Sequence, residues 1–215
     1  MKGRTIKVFI VDDHSLFREC LSDAFKNIEL DIQVVGQAED GQGLVRKIKE
    51  TKCNVILLDI IIPGFDSMEL LKTLKIEFPK IPILMLSSHS EENFGPRYLK
   101  AGASGYFCKI DSLDNLITSV KKVFAGEVAI SASLSNLIVQ NSLSPKKLEC
   151  HDALSDREFQ VMCLMGSGVQ LSEVARRLNI SPKTVSGHRC KIMEKMGWKN
   201  NAEMMRYAIE NGFAF

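Results

Sequence analysis

Three carboxylates, one lysine and one serine carry the chemistry of this sequence. Asp12 and Asp13 follow the run Lys-Val-Phe-Ile-Val, Asp59 follows Val-Ile-Leu-Leu, Ser87 follows Ile-Leu-Met-Leu, and Lys109 follows Gly-Tyr-Phe-Cys. Each run is short and apolar and ends abruptly in a polar group, as parallel strands do when both of their faces are buried. Ligands of open α/β sheets bind outside the carboxyl ends of the strands, so these groups belong to one shared site. Three carboxylates in one cleft repel one another, and burial worsens the repulsion by removing water. The site therefore calls for a cation, and Mg2+ is the fitting one, a hard ion that takes one or two carboxylates together with waters and phosphate oxygens. Lys109 adds a point charge for a phosphoryl group, and Ser87 adds a hydroxyl. The set suits transfer of a phosphoryl group to an oxygen nucleophile, with Asp59, alone at its strand end, as the acceptor.

The elements that must position these groups alternate regularly. Strands are predicted over Ile6 to Val11, Gln33 to Ala38, Val55 to Leu58, Ile83 to Leu86 and Gly105 to Cys108. Amphipathic helices are predicted over Leu16 to Asn27, Leu44 to Thr51, Met68 to Phe78 and Leu113 to Phe124. Five such units make a doubly wound parallel sheet, covered on both faces, over residues 1–125. Between the fourth and fifth strands the pair Gly95-Pro96 is a helix breaker, which predicts a short helix there or one that starts at Pro96.

Residues 126–153 lose this periodicity and read as a linker, with one short helix over Leu134 to Gln140. Residues 154–215 then show the start signals of four helices. Ser155-Asp-Arg-Glu158 is a capping box, Ser181-Pro182 an N-cap followed by proline at the first helical position, and Gly197 a stop. The short turn around Arg176 to Pro182 gives this all-α unit the outline of a helix-turn-helix.

At 215 residues the chain has room for one larger and one smaller domain. The sequence has no apolar run of membrane-spanning length and no signal peptide, so a soluble, cytoplasmic protein without a membrane partner is expected. The six cysteines are scattered without zinc-ligand spacing and read as reduced core residues. Net charge is only +2, but residues 176–199 carry seven Lys and Arg against Glu194 alone, an electrostatic footprint for a polyanion.

These motifs resemble a known family. Residues 1 to about 125 are similar to the flavodoxin-like receiver domain of two-component response regulators, through Val-Asp12-Asp13-His14, Leu-Leu-Asp59-Ile-Ile-Ile-Pro63-Gly64, Leu-Ser87-Ser88 and Ala101 to Lys109. The resemblance implies that Asp59 accepts phosphate from a histidine kinase. It also implies that Asp12 and Asp13 hold Mg2+ with Asp59 and the backbone carbonyl of Ile61, that Ser87 and Lys109 bind the phosphoryl oxygens, and that Tyr106 turns inward when Ser87 moves. Ser67 stands where the family usually has glycine. Ile61 and His89 occupy positions that in the family influence the lifetime of the acyl phosphate, and apolar Ile61 is expected to hinder the attacking water.

Residues 154–212 resemble the NarL/LuxR-type helix-turn-helix through Leu154 to Glu158, Leu171 to Leu178 and Ile180 to Arg189. On a helical wheel Val185, Ile192 and Met196 point to the core, while Lys183, Thr184, Ser186, Gly187, Cys190 and Lys191 face outward, as a major-groove helix requires. The family resemblance puts Ser186, Gly187 and Cys190 at base edges and Lys183 and Thr184 on the backbone. None of the first three can form the bidentate pairs of strong direct readout, so specificity leans on Lys191, phosphate geometry or DNA shape. Arg189 and His188 border the apolar side, and Arg189 is suited to a phosphate or to a structural pair. The last helix shows Met204, Met205, Ala208 and Ile209, more apolar surface than a small bundle needs, which suits either a dimer face or ordinary core packing.

The reading is a regulator rather than an enzyme: a transcription factor whose phosphorylation controls dimerisation and promoter binding. Two alternatives use the same residues. One is a regulator that acts through DNA or protein contacts without phosphorylation. The other is an Asp-nucleophile phosphohydrolase, disfavoured because the nucleophile sits on the third strand and no cap follows.

Overall fold

The computed structural model describes residues 5–28, 31–143 and 150–214. The chain divides into two compact units, residues 1–135 and 136–215.

The first unit is a five-stranded parallel sheet in the order β2-β1-β3-β4-β5. Its strands are β1 (Ile6–Val11), β2 (Ile32–Ala38), β3 (Val55–Asp59), β4 (Ile83–Ser87) and β5 (Gly105–Cys108). All five residues of β3 and of β4 are buried, which explains their unbroken apolar runs: central strands have no solvent face to alternate toward. The helices are α1 (Ser15–Ile28), α2 (Leu44–Thr51), α3 (Ser67–Glu77), α4 (Glu91–Lys100) and α5 (Leu113–Phe124). Leu21 and Phe25 of α1 and Leu116 and Val120 of α5 pack with Ile10, Leu57 and Leu84 into one core. Each such fully buried side chain contributes about 1.5–3 kcal/mol relative to exposure. Helix starts follow the expected chemistry: the Asp66 carboxylate accepts from the amides of Met68 and Glu69 on α3, and the Ser112 hydroxyl from that of Asn115 on α5.

Two expectations need correction. Helix α4 neither shortens nor starts at Pro96; it begins at Glu91 behind Ser90 and runs through the proline to Lys100. The reason for the glycine lies elsewhere in the chain. A Cβ on Gly95 would sit 2.7 Å from Leu134, which is itself fully buried. The second correction concerns the segment read as linker, whose first residues pack into the first unit. The amide of Tyr106 donates to the Ala129 carbonyl at 2.9 Å, and the amide of Ala129 donates to the Ser104 carbonyl at 3.1 Å. Gly105 allows this approach, because a Cβ there would meet the Ala129 oxygen. The short helix expected over Leu134 to Gln140 is observed as α6 (Ala132–Leu143).

The second unit contains a 3-10 turn (Cys150–Ala153) and α7 (Asp156–Gly166), α8 (Leu171–Arg177), α9 (Pro182–Met196) and α10 (Asn201–Glu210). The Ser155–Glu158 capping box opens α7. The Ser181 hydroxyl accepts from the Thr184 amide ahead of Pro182, and Gly197 closes α9 with φ 68°. Phe159, Val161, Met162, Val174, Val185, Ile192, Met204 and Ala208 form a buried core. A Cβ on Gly166 would meet the Ala208 methyl, so α7 and α10 meet closely at these small residues. His151, Phe159, Tyr207 and Phe213 add an aromatic cluster, with the Tyr207 hydroxyl 2.8 Å from His151 Nδ1.

The cysteines are less uniform than expected. Cys53 and Cys163 are buried and Cys108 partly so, but Cys20 and Cys190 are exposed on their helices. Among the described residues no helix is long and apolar enough to cross a membrane.

Candidate functional site

The strand order dictates the site. Because β1 and β3 are adjacent and β4 and β5 follow in turn, the residues at their carboxyl ends converge. Asp12 is fully buried and Asp59 is 3% exposed. Lys109 Nζ reaches both, 2.7 Å from Asp12 Oδ2 and 2.8 Å from Asp59 Oδ2. Its ammonium also lies over the Phe17 ring, with Nζ 4.9 Å from the centroid. The Ile61 amide donates to Asp59 Oδ1 at 3.3 Å, and Asp12 Oδ1 accepts from the His14 amide at 2.9 Å.

Electrostatics follow from this crowding. Burial, which Lys109 offsets and Asp12 reinforces, pushes Asp59 up to about 6 from an ordinary value of 3.8. Lys109 titrates above its usual range; burial works against its charge, but the carboxylates of Asp59 and Asp12 outweigh it. Two buried anions and one cation leave the pocket short of positive charge.

A divalent cation fits that deficit. Asp12, Asp13, His14 and Asp59 each offer an atom within 4.8 Å of the others. Asp12 Oδ2 is buried and receives Lys109 Nζ at 2.7 Å, Asp12 Oδ1 accepts from the His14 amide at 2.9 Å, and each oxygen keeps a further lone pair for a metal. The carboxylate oxygens suit Mg2+. The imidazole of His14 sits 2.8 Å from Asp13 Oδ1 and 3.1 Å from Asp12 Oδ1, a closeness that the sequence signalled only by adjacency.

Ser87 and Tyr106 meet through a residue whose backbone no sequence pattern could single out. The Ser87 hydroxyl, fully buried, accepts from the amide of His89 at 2.8 Å, and the buried Tyr106 hydroxyl donates to the carbonyl of His89 at 3.1 Å. The His89 ring stacks on Phe94 at 5.2 Å, and burial together with Lys109 pushes it down to about 4. The Tyr106 phenol is shifted upward by burial.

On the second unit, Lys183, Thr184, Gly187, Cys190 and Lys191 are exposed along α9, while Ser186 and Arg189 are half-buried. Arg189 donates from Nε to Asn201 Oδ1 at 2.6 Å, a structural tie to the start of α10. The basic footprint is smaller than the residue count suggests. Arg176 and Arg177 both pair with Glu173, and Lys195 pairs with Glu158, each within 2.8 Å.

A doubly wound sheet that collects acids and a lysine at its carboxyl edge, carried in one chain with a four-helix unit presenting an exposed basic helix, defines a receiver joined to a helix-turn-helix module. Comparison with known proteins agrees. Residues 8–121 match the response regulator receiver domain, and residues 152–208 match the luxR family of bacterial regulatory proteins. The response regulator GacA of Pseudomonas protegens is 33% identical over 96% of this chain and 97% of its own. A structure of RcsB from Salmonella enterica serovar Typhimurium, bound to promoter P1flhDC in the presence of the phosphomimetic BeF3-, superimposes with TM-score 0.64 at 25% identity, covering 94% of this chain and 98% of that one. A further structure, of two RcsB dimers bound to two parallel DNAs, gives TM-score 0.59 at 25% identity over 95% and 98% of the two chains. The chain belongs to the response regulators with a LuxR-type DNA-binding domain, and it is a transcription factor.

Proposed function

We propose that Asp59 accepts a phosphoryl group from the phosphohistidine of a partner kinase and that this modification controls pairing and promoter binding through α9. The observation that carries the reading is the placement of Lys109 Nζ between the buried carboxylates of Asp12 and Asp59. In the transfer, an Asp59 carboxylate oxygen forms a bond to phosphorus while the nitrogen–phosphorus bond of the donor breaks, and the imidazole nitrogen leaves with the electron pair. Lys109 and the Ser87 hydroxyl bind the phosphoryl oxygens. Asp12, Asp13 and Asp59, with the carbonyl of Ile61, hold Mg2+. When bound, the cation neutralises carboxylate and phosphoryl charge.

Modification replaces the single charge of the Asp59 carboxylate with the roughly two of a phosphoryl group, a net gain of about one negative charge. That charge draws Lys109 and Ser87 toward it, and Ser87 brings the His89 amide, whose carbonyl holds Tyr106. Ile61, two residues beyond Asp59, screens the acyl phosphate from water. For DNA, Lys183 and Thr184 meet phosphates, Ser186, Gly187 and Cys190 meet base edges, and Lys191 adds charge. Arg189 supports the helix through Asn201 rather than reading bases. Met205 and Ile209, one turn apart and exposed on α10, supply the apolar surface for a homodimer.

The test is incubation with Mg2+ and acetyl phosphate, followed by intact mass and by retention on DNA. A gain of one phosphate in wild type, absent from Asp59→Asn and accompanied by tighter retention, supports the reading. Equal retention of both proteins would instead favour control without phosphorylation.

A further inference from the structure

Ser67 departs from the glycine that the family resemblance leads one to expect, and the structure gives its hydroxyl a place. Ser67 is fully buried. Its hydroxyl donates to the carbonyl of Ile60 at 2.6 Å and lies 2.9 Å from the hydroxyl of Tyr98 on α4. The serine proton is committed to Ile60, so Tyr98 is the donor in the second bond. Tyr98 is likewise buried, with its ring 6.5 Å from that of Tyr106.

The carbonyl of Ile60 and the amide of Ile61 belong to one peptide group. That amide donates to Asp59 Oδ1 at 3.3 Å, while the carbonyl accepts from Ser67. A peptide group is planar and rigid, so its N–H and C=O cannot reorient independently. Any change in charge or position at the Asp59 carboxylate that tilts the amide must tilt the carbonyl, and with it the two hydroxyls that end on α4. The same helix holds the segment that leaves the sheet. Glu91 accepts from the Ser131 amide at 2.8 Å, Glu92 from the Ser133 hydroxyl at 2.5 Å, and Leu134 fills the notch at Gly95.

We propose that Ser67 and Tyr98 are positioning residues forming a second switch, separate from Ser87 and Tyr106, which carries the state of Asp59 through the Ile60–Ile61 peptide to α4 and to the exit segment on it. This rests on Asp59 being the phosphoacceptor. It makes the departure at Ser67 and the Gly95-Pro96 interruption parts of one device. A glycine at 67 could not bond the carbonyl, and a larger residue at 95 could not seat Leu134.

The test is hydrogen exchange of the full chain with and without Mg2+ and beryllofluoride, in wild type, Ser67→Ala, Tyr98→Phe and the double variant. Tyr98→Phe removes a single hydroxyl and keeps the ring, so a folding defect in Ser67→Ala would not end the test. Wild type is expected to change its exchange at residues 87–89, 91–100 and 129–134. In each variant the change at 87–89 should persist, while that at 91–100 and 129–134 falls at least threefold, and the double variant should match either single one. Ligand-induced changes of wild-type size in the variants, whatever their basal exchange, would overturn the proposal and assign the hydroxyls to packing alone. A wild type that takes neither beryllofluoride nor, with acetyl phosphate, a phosphate on Asp59 would overturn the phosphoacceptor reading and this proposal with it.

Discussion

The two units handle charge in opposite ways. In the first, two carboxylates and an ammonium are buried together, and each depends on the others for compensation. In the second, the cations of α8 and α9 lie at or near the surface, with Arg176 and Arg177 sharing Glu173 there, so water screens most of them and a surface pair contributes little to folding. Buried charge makes a site whose geometry is fixed before any ligand arrives. Exposed charge makes an interface whose strength depends on salt and on the number of phosphates met.

The contrast breaks most readily at Lys109. Lys109→Met leaves Asp12 and Asp59 buried without their cation, and breaking a buried pair on one side costs about 3–5 kcal/mol. Urea unfolding at pH 7 without Mg2+, followed by far-UV circular dichroism, should show a loss of that order, partly restored by Mg2+. An unchanged midpoint would mean that the pocket admits enough water to solvate the acids. Among the described residues of the second unit one position is comparable, Glu158, which is 4% exposed. Its carboxylate accepts from the Ser155 amide at 2.8 Å and from Lys195 at 2.7 Å, so removing it breaks the cap and the pair together. Glu158→Ala should cost about 2 kcal/mol, read from the fluorescence of Trp198, the chain's one tryptophan.

How much of this was legible in the sequence follows the same division. Strand ends were readable because a central parallel strand must be apolar until it leaves the sheet, and Asp12 and Asp59, at the ends of β1 and β3, converge for that reason. The capping box at Ser155 and the stop at Gly197 were readable because their signals are local. Helix α4 was misread because the partner that explains Gly95, Leu134, is remote in sequence and belongs to a stretch without periodicity. The docking of Ala129 and the bridging role of His89 use backbone groups, which every residue has and no composition reveals. The basic footprint was overcounted because Glu173 lies just outside the charged window and Glu158 lies farther away. The cysteines were read together as core residues, but residues of a helix point to different faces, which is how Cys20 and Cys190 come to be exposed.

A sharper test of the buried pocket is its pH dependence. The folded state holds Asp59 at about 6 against an ordinary 3.8, so it favours the protonated form. That contribution to stability is complete below about 3.8 and is lost as the pH rises through about 6. At pH 7.5 without Mg2+ the wild type therefore carries a penalty, at most about 3 kcal/mol for a displacement of this size and smaller if the pocket relaxes. Asp59→Asn removes it and should stabilise the protein by about 1–2 kcal/mol at pH 7.5, with a gain that fades toward pH 4. Saturating Mg2+ should reverse the order by stabilising wild type more than the variant. A gain independent of pH would mean that Asp59 is already compensated in the folded state.

The smallest effect on stability, and the best probe of the other half of the comparison, is expected from Lys191→Ala. Lys191 is exposed on α9, so its removal should shift the Trp198-monitored midpoint by less than about 0.5 kcal/mol. Its effect belongs to the interface. A cation that meets one phosphate releases about one counterion, so the slope of log affinity against log salt should become shallower by about one on duplex DNA. Arg189→Ala should behave differently, because its guanidinium already bonds Asn201. Stability should fall while the salt slope changes little. If both variants lowered the slope equally, Arg189 would leave Asn201 for the DNA backbone on binding, and the surface charge of this unit would be more mobile than the contrast with the buried pocket assumes.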